Sequence, residues 1–272
     1  VSNEMKSAIN VWFRHVFLLI YPLGALLATT AMAKVNLYVA VLYLMPGFIL
    51  MSILGYVFLL RNINGKNNSA SEIDHKKIIA PIVVILIAPF IHFVLMTTFA
   101  SIIQELPLLI GVISSLILSL VFTKIDWNEF KAVVIRMKPW NFALIILGMF
   151  LFLHIFQASA TSQVIADAAF SKVTLLVGIG FLLGFATGRV QVPIAILLPI
   201  YFAQFGANSM TPITFSILFF AAYQGYLVSP VHPCVSVSLE YFKTDLMDFY
   251  KILALPSIIC LAVALIFGYT LL

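Results

Sequence analysis

Two short stretches decide the fold: Ala186-Thr187-Gly188-Arg189-Val190-Gln191-Val192-Pro193, and then Gly225-Tyr226-Leu227-Val228-Ser229-Pro230-Val231-His232-Pro233-Cys234. Each is a polar or proline-bearing interruption between strongly apolar runs. Hydrocarbon offers no water to unpaired backbone N–H and C=O groups, so non-helical chain at that depth survives only inside protein or beside a wet cavity. Two interruptions close in sequence point to the substrate or ion site of a transporter. The rest of the chain reads as their scaffold.

Composition agrees. Hydrophobic residues make up 63% and charged residues 9%, against roughly 25% charged in soluble domains. Several apolar runs reach the ~20 residues that cross a bilayer. The fold class is therefore all-α, a polytopic helical membrane protein with a re-entrant hairpin and a broken helix. The net charge of +5 does not imply nucleic acid, because the basic residues sit in loops rather than along one face. Cys234 and Cys260 are too few for a disulfide framework or a CxxC metal site and read as plain membrane-helix residues. No metal site is expected.

Apolar runs lie at about 12–33, 37–60, 78–99, 108–123, 141–158, 173–186, 193–206, 214–229 and 249–272. The first opens on Trp12-Phe13-Arg14-His15, which has the aromatic and basic character of an interfacial anchor, and contains Pro22, where a helix would kink. A short link at Ala33 to Asn36 makes the first two runs antiparallel neighbours. Residues 1–60 thus hold two spans, 61–77 a loop, and 78–272 a transport-type domain. Within that domain Trp127, Phe130, Val134 and Met137 share one face, so 124–140 reads as an amphipathic helix lying in the interface. The runs at 173–186 and 193–206 are short for full spans. They are two tilted spans or, the preferred reading, the arms of a re-entrant hairpin tipped by 187–191. The broken helix occupies 214–247. The loops 61–77 and 124–140 concentrate Lys and Arg, so both lie on the cytoplasmic side, with a cytoplasmic amino terminus in a cell inner or plasma membrane.

Gly180, Gly184 and Gly188 recur every four residues, a pattern that suits close helix packing. A phosphate-binding reading would need a βαβ unit that is absent. Arg189 is the one charged side chain from Val173 to Ser238. Buried, it would need a partner such as an anionic substrate; at an interface it would simply snorkel. Thr187, Gly188, Gln191, Ser229 and His232 complete the candidate substrate and ion site. Pro230 and Pro233 lack the N–H groups that would bond the carbonyls of Tyr226 and Ser229. Freed carbonyls and hydroxyls suit Na⁺, and helix amino termini suit an anion. A proline kink satisfied by neighbouring helices is the alternative. His92 and His154 are either proton carriers or hydrogen-bonded to a facing helix.

Ile9-Asn10-Val11-Trp12-Phe13-Arg14-His15 with Tyr21-Pro22, Gly184-Phe185-Ala186-Thr187-Gly188, Ser229-Pro230-Val231-His232-Pro233-Cys234 and Glu240-Tyr241-Phe242-Lys243 resemble the prokaryotic membrane family called Domain of Unknown Function 401. That resemblance implies membership of the ion transporter superfamily, alongside gluconate, citrate and dicarboxylate carriers and arsenite pumps. Such carriers have two repeats, each with a re-entrant hairpin and a broken helix, and move anions using Na⁺ or H⁺. By that similarity Thr187 to Gln191 would be a hairpin tip and Ser229 to Pro233 a helix break. Family members resemble a longer chain with another hairpin-bearing half before Trp12, so this chain is expected to be a fragment. Trp12-Phe13-Arg14 before Pro22 is echoed by Tyr241-Phe242-Lys243 before Pro256, a faint sign of an internal repeat.

The expectation is a secondary active transporter of a small organic or inorganic anion coupled to Na⁺ or H⁺, not an enzyme. It needs no cofactor beyond Na⁺ as a coupling ion. Its partners are the lipid bilayer and the solute, with a homodimer open. The rival readings are a non-transporting membrane subunit and an intramembrane enzyme using His232 and Cys234.

Overall fold

The computed structural model describes residues 1–61, 63, 75–98, 105–137, 139–159, 161–206 and 208–272. Most of the polar loop expected at 61–77 lies outside the described residues. Among the described residues all regular structure is helical. The elements are α1 (Asn3–Ile20), α2 (Ala25–Ala33), α3 (Leu37–Gly55), α4 (His75–Thr98), α5 (Glu105–Thr123), α6 (Trp127–Met137), α7 (Pro139–Ala158), α8 (Thr161–Ala166), α9 (Gly180–Thr187), α10 (Gln191–Phe205), α11 (Pro212–Val228), α12 (Pro233–Phe242) and α13 (Leu246–Leu271). Single π-helical turns extend α3 through Tyr56–Leu60 and precede α9 at Thr174–Ile179. Six segments among the described residues are long and apolar enough to cross a membrane. The chain divides into two compact units, Val1–Asn64 with Leu144–Leu272, and Gly65–Ala143.

In the larger unit the first apolar run is two helices rather than one kinked helix. Pro22 forces Tyr21 into an extended conformation, and Gly24 then adopts φ +66°, open to glycine without strain. The chain turns again at Lys34, and the Asn36 side chain caps α3 by accepting from the N–H groups of Tyr38 and Val39. The Trp12 segment, expected as an interfacial anchor, turns two of its side chains into the protein and leaves Arg14 exposed. Trp12 and His15 are fully buried, and the indole N–H donates to the Met51 carbonyl at 2.9 Å. That bond removes the ~1–3 kcal/mol penalty of burying an unpaired donor. Gly55 makes room, since a Cβ there would meet the Trp12 indole nitrogen at 2.6 Å.

α11 is the central element. Every residue from Thr214 to Val228 except Tyr226 is buried, as expected of a helix that is apolar on all sides. α9 lies against it almost backbone to backbone: a Cβ on Gly184 would overlap the Ala222 carbonyl, and one on Gly225 the Phe181 carbonyl. The small-residue stripe is a packing face, as its spacing suggests, and Gly225 is its counterpart on the facing helix. Phe215, Phe219 and Tyr223 stack along another side of α11, with centroids 5.8 and 5.9 Å apart.

The helix expected at 214–247 is broken at Ser229 to His232, and α12 ends at Phe242, where Lys243 takes a left-handed conformation (φ 53°). α13, by contrast, runs unbroken through Pro256. The break at Pro22 therefore has no counterpart at Pro256.

In the smaller unit α4 and α5 pack face to face. Gly111 sits over the Ala88 carbonyl, where a Cβ would come within 2.5 Å, and the Ser115 hydroxyl donates to the Val84 carbonyl at 2.6 Å. α6 starts where the Asp126 carboxylate accepts from the Glu129 N–H. Its Trp127 and Phe130 rings pair at 5.5 Å on an exposed face.

Candidate functional site

The interruption after Val228 is held from three directions. The Ser229 hydroxyl donates to the Phe185 carbonyl at the end of α9. The Tyr250 hydroxyl of α13 donates to the Val228 carbonyl at 2.8 Å. The turn between α9 and α10 packs onto the break itself: Gly188 is left-handed (φ +60°), and a Cβ there would lie 2.9 Å from the His232 nitrogen. Glycine is required at 188 for both its conformation and its closeness. The two polar stretches that interrupt the sequence are therefore in direct contact.

The proposed site residues divide around this junction. Thr187 caps its own turn, its hydroxyl donating to the carbonyls of Leu183 and Arg189. Gly188, Ser229 and His232 are buried in the junction, Gln191 is half-buried at the start of α10, and Arg189 is exposed. The carbonyls freed by the prolines do not stay free. His232 N–H donates to the Ser229 carbonyl at 3.2 Å. The Tyr226 carbonyl accepts from the Ser229 N–H at 3.3 Å and from His232 Nδ1 at 3.2 Å. Local turn bonds supply what the proline nitrogens cannot.

The residue missed in the sequence is His15. α1 runs antiparallel to the α11–α12 segment, with Ser7 Oγ 3.1 Å from Ser238 Oγ and the Tyr223 hydroxyl donating to the His15 carbonyl at 2.7 Å. His15 and His232 thereby meet, their ring centroids 4.9 Å apart at 71°. Tyr226 lies 4.0 Å from the His232 ring and 5.3 Å from the His15 ring. Cys234, near the start of α12, has its thiol and one nitrogen of each histidine within 4.8 Å of one another. The helical stripe Ala8, Val11, Trp12, His15 and Leu19, all buried, was the available signal that His15 faces inward. Nearby, the fully buried Gln224 donates to the Met51 sulfur at 3.3 Å.

The buried part of the junction is polar but uncharged. Among the described residues the buried polar side chains are hydroxyls, imidazoles and Gln224, with no carboxylate, lysine or arginine. His92 is buried in α4 and His154 is exposed on α7. Cys260 is buried in α13. An apolar groove of about 320 Å³ between α3, α11 and α13, lined by residues such as Leu44, Gly47, Phe220 and Phe267, suits hydrocarbon rather than an ion.

Long apolar helices, two of them interrupted, with a buried polar junction at one interruption define a multi-pass helical membrane protein. The chain belongs to the family described as Protein of unknown function (DUF401), whose pattern matches residues 1–270. No curated protein and no solved structure matches the chain.

Proposed function

We propose that the chain is a translocating domain of a secondary active transporter for a small organic or inorganic anion, driven by Na⁺ or H⁺ across a cell membrane. The observation that supports this most is the contact between the α9–α10 turn and the Ser229 to His232 break. Irregular backbone in a membrane-spanning chain serves best where it lines a path for a solute. In this reading α9 and α10 are the arms of a re-entrant hairpin, and the fold is kin to the ion transporter superfamily. The absence of a buried carboxylate among the described residues favours an anionic solute over a cationic one, and the exposed Arg189 stands at the turn to attract it.

The His15–His232–Cys234 cluster also favours a second reading, an intramembrane enzyme with Cys234 as nucleophile and a histidine as base. The thiol would then be indispensable, whereas a carrier would tolerate Cys234→Ala.

The test works whatever the solute is. In full-length protein with Cys234 and Cys260 replaced, Arg189→Cys is labelled in inside-out and right-side-out vesicles. A carrier predicts labelling that changes with Na⁺, pH or added carboxylates, because the turn closes over bound solute. Labelling from one side that no solute alters would make 187–191 an ordinary loop and remove the support for transport.

A further inference from the structure

We propose that His15, His232 and Cys234 form a binding site for one thiophilic transition-metal ion of the Zn²⁺ class. The inference does not rest on the transport reading.

The orientation of the histidines carries the argument. His15 Nδ1 faces the Val11 carbonyl and His232 Nδ1 faces the Tyr226 carbonyl. A carbonyl only accepts, so each Nδ1 carries the ring proton and each Nε2 is left with a bare lone pair. Both Nε2 atoms are buried and without a hydrogen-bond partner, on rings whose exposures are 0% and 1%. An unsatisfied buried acceptor is destabilising, and here two of them belong to adjacent rings. Fixing one ring nitrogen on a carbonyl so that the other presents its lone pair is how proteins orient metal-binding histidines.

The donors select the ion. Two imidazoles and a thiol within 4.8 Å of one another are poor ligands for Na⁺, Mg²⁺ or Ca²⁺, which require oxygen, and good ones for Zn²⁺ and Co²⁺. On binding, the thiol gives its proton to solvent and the thiolate sulfur joins the metal. Three protein ligands leave a fourth position open, and the half-buried Cys234 marks the side from which an ion enters. The ion would tie α1 to the start of α12 and so hold the interruption to the helix it crosses.

The test is equilibrium binding to purified full-length protein in detergent, stripped with chelator and titrated with Co²⁺ under reducing, oxygen-free conditions. Saturation at one Co²⁺ per chain is expected, with the visible bands of a tetrahedral ion and a near-ultraviolet thiolate charge-transfer band, both lost when Zn²⁺ is added. Cys234→Ser should abolish the charge-transfer band and Cys260→Ser should leave it intact. His15→Gln and His232→Gln should each abolish the saturable binding. If the histidine variants do not fold, the Cys234→Ser comparison decides alone, since that side chain is only half-buried. An absence of saturable Co²⁺ binding, or a thiolate band that survives Cys234→Ser, overturns the site. No flux is measured, so failure here leaves the transport reading untouched.

Discussion

Gly225 faces the Phe181 carbonyl so closely that any Cβ would occupy the same space. Gly225→Ala should therefore separate α9 from α11 and lower the stability of the protein in detergent by about 1–3 kcal/mol, the usual cost of overpacking. Gly148→Ala is the matched control, because a Cβ there meets nothing within 4 Å and alanine favours helix by about 1 kcal/mol. Thermal unfolding of the two variants checks this, and equal midpoints would argue against the backbone contact. Trp12 offers a second residue-scale test. Trp12→Phe removes the donor to Met51 while keeping most of the buried ring. A loss of about 1 kcal/mol is expected, the net worth of one hydrogen bond, read as a small fall in the same midpoint.

At the scale of elements, the break after α11 is anchored by side chains from its neighbours rather than by its own helix. The Ser229 hydroxyl ties it to α9 and the Tyr250 hydroxyl to α13. Ser229→Ala should loosen the α9–α10 turn as well as the break, because Gly188 rests on His232. Faster amide exchange is expected at 186–190 and at 229–235 together in that variant. Tyr250→Phe should speed exchange at 229–235 only. If Ser229→Ala left 186–190 protected, the two interruptions would not move as one unit. The same contrast explains Pro22 and Pro256. Pro22 ends α1 where Gly24 takes a positive φ before α2 begins, whereas Pro256 is carried inside a helix that continues on both sides.

For the whole molecule, the Lys- and Arg-rich stretches 61–77 and 124–140 lead us to propose that both lie on the cytoplasmic side. With Cys234 and Cys260 replaced, Lys131→Cys on α6 should be labelled from the cytoplasmic face and Asn208→Cys, after α10, from the opposite face. Both positions are exposed, so access is set by the membrane and not by burial. Labelling of the two from the same side would overturn the proposed orientation.

The class was legible in the sequence because it follows from quantities that are local or additive. Run lengths, the scarcity of charge and the four-residue glycine stripe each act through the bilayer or through a single helix face, so they read the same whatever packs beside them. The breaks were visible for the same reason: proline withholds an N–H and restricts the residue before it wherever it stands. What proline could not say was which carbonyls would remain unpaired, and those of Tyr226 and Ser229 were taken up by turn bonds and by the His232 ring. Nor could the aromatic and basic character of Trp12 to His15 distinguish an interface from a core. That depended on whether a facing helix supplied a carbonyl for the indole and a gap for its ring, and α3 supplies both with Met51 and Gly55. The meeting of His15 with His232 and Cys234 is the clearest case. More than two hundred residues of chain separate His15 from the other two, and only the antiparallel packing of α1 on the α11–α12 segment brings the two rings and the thiol together.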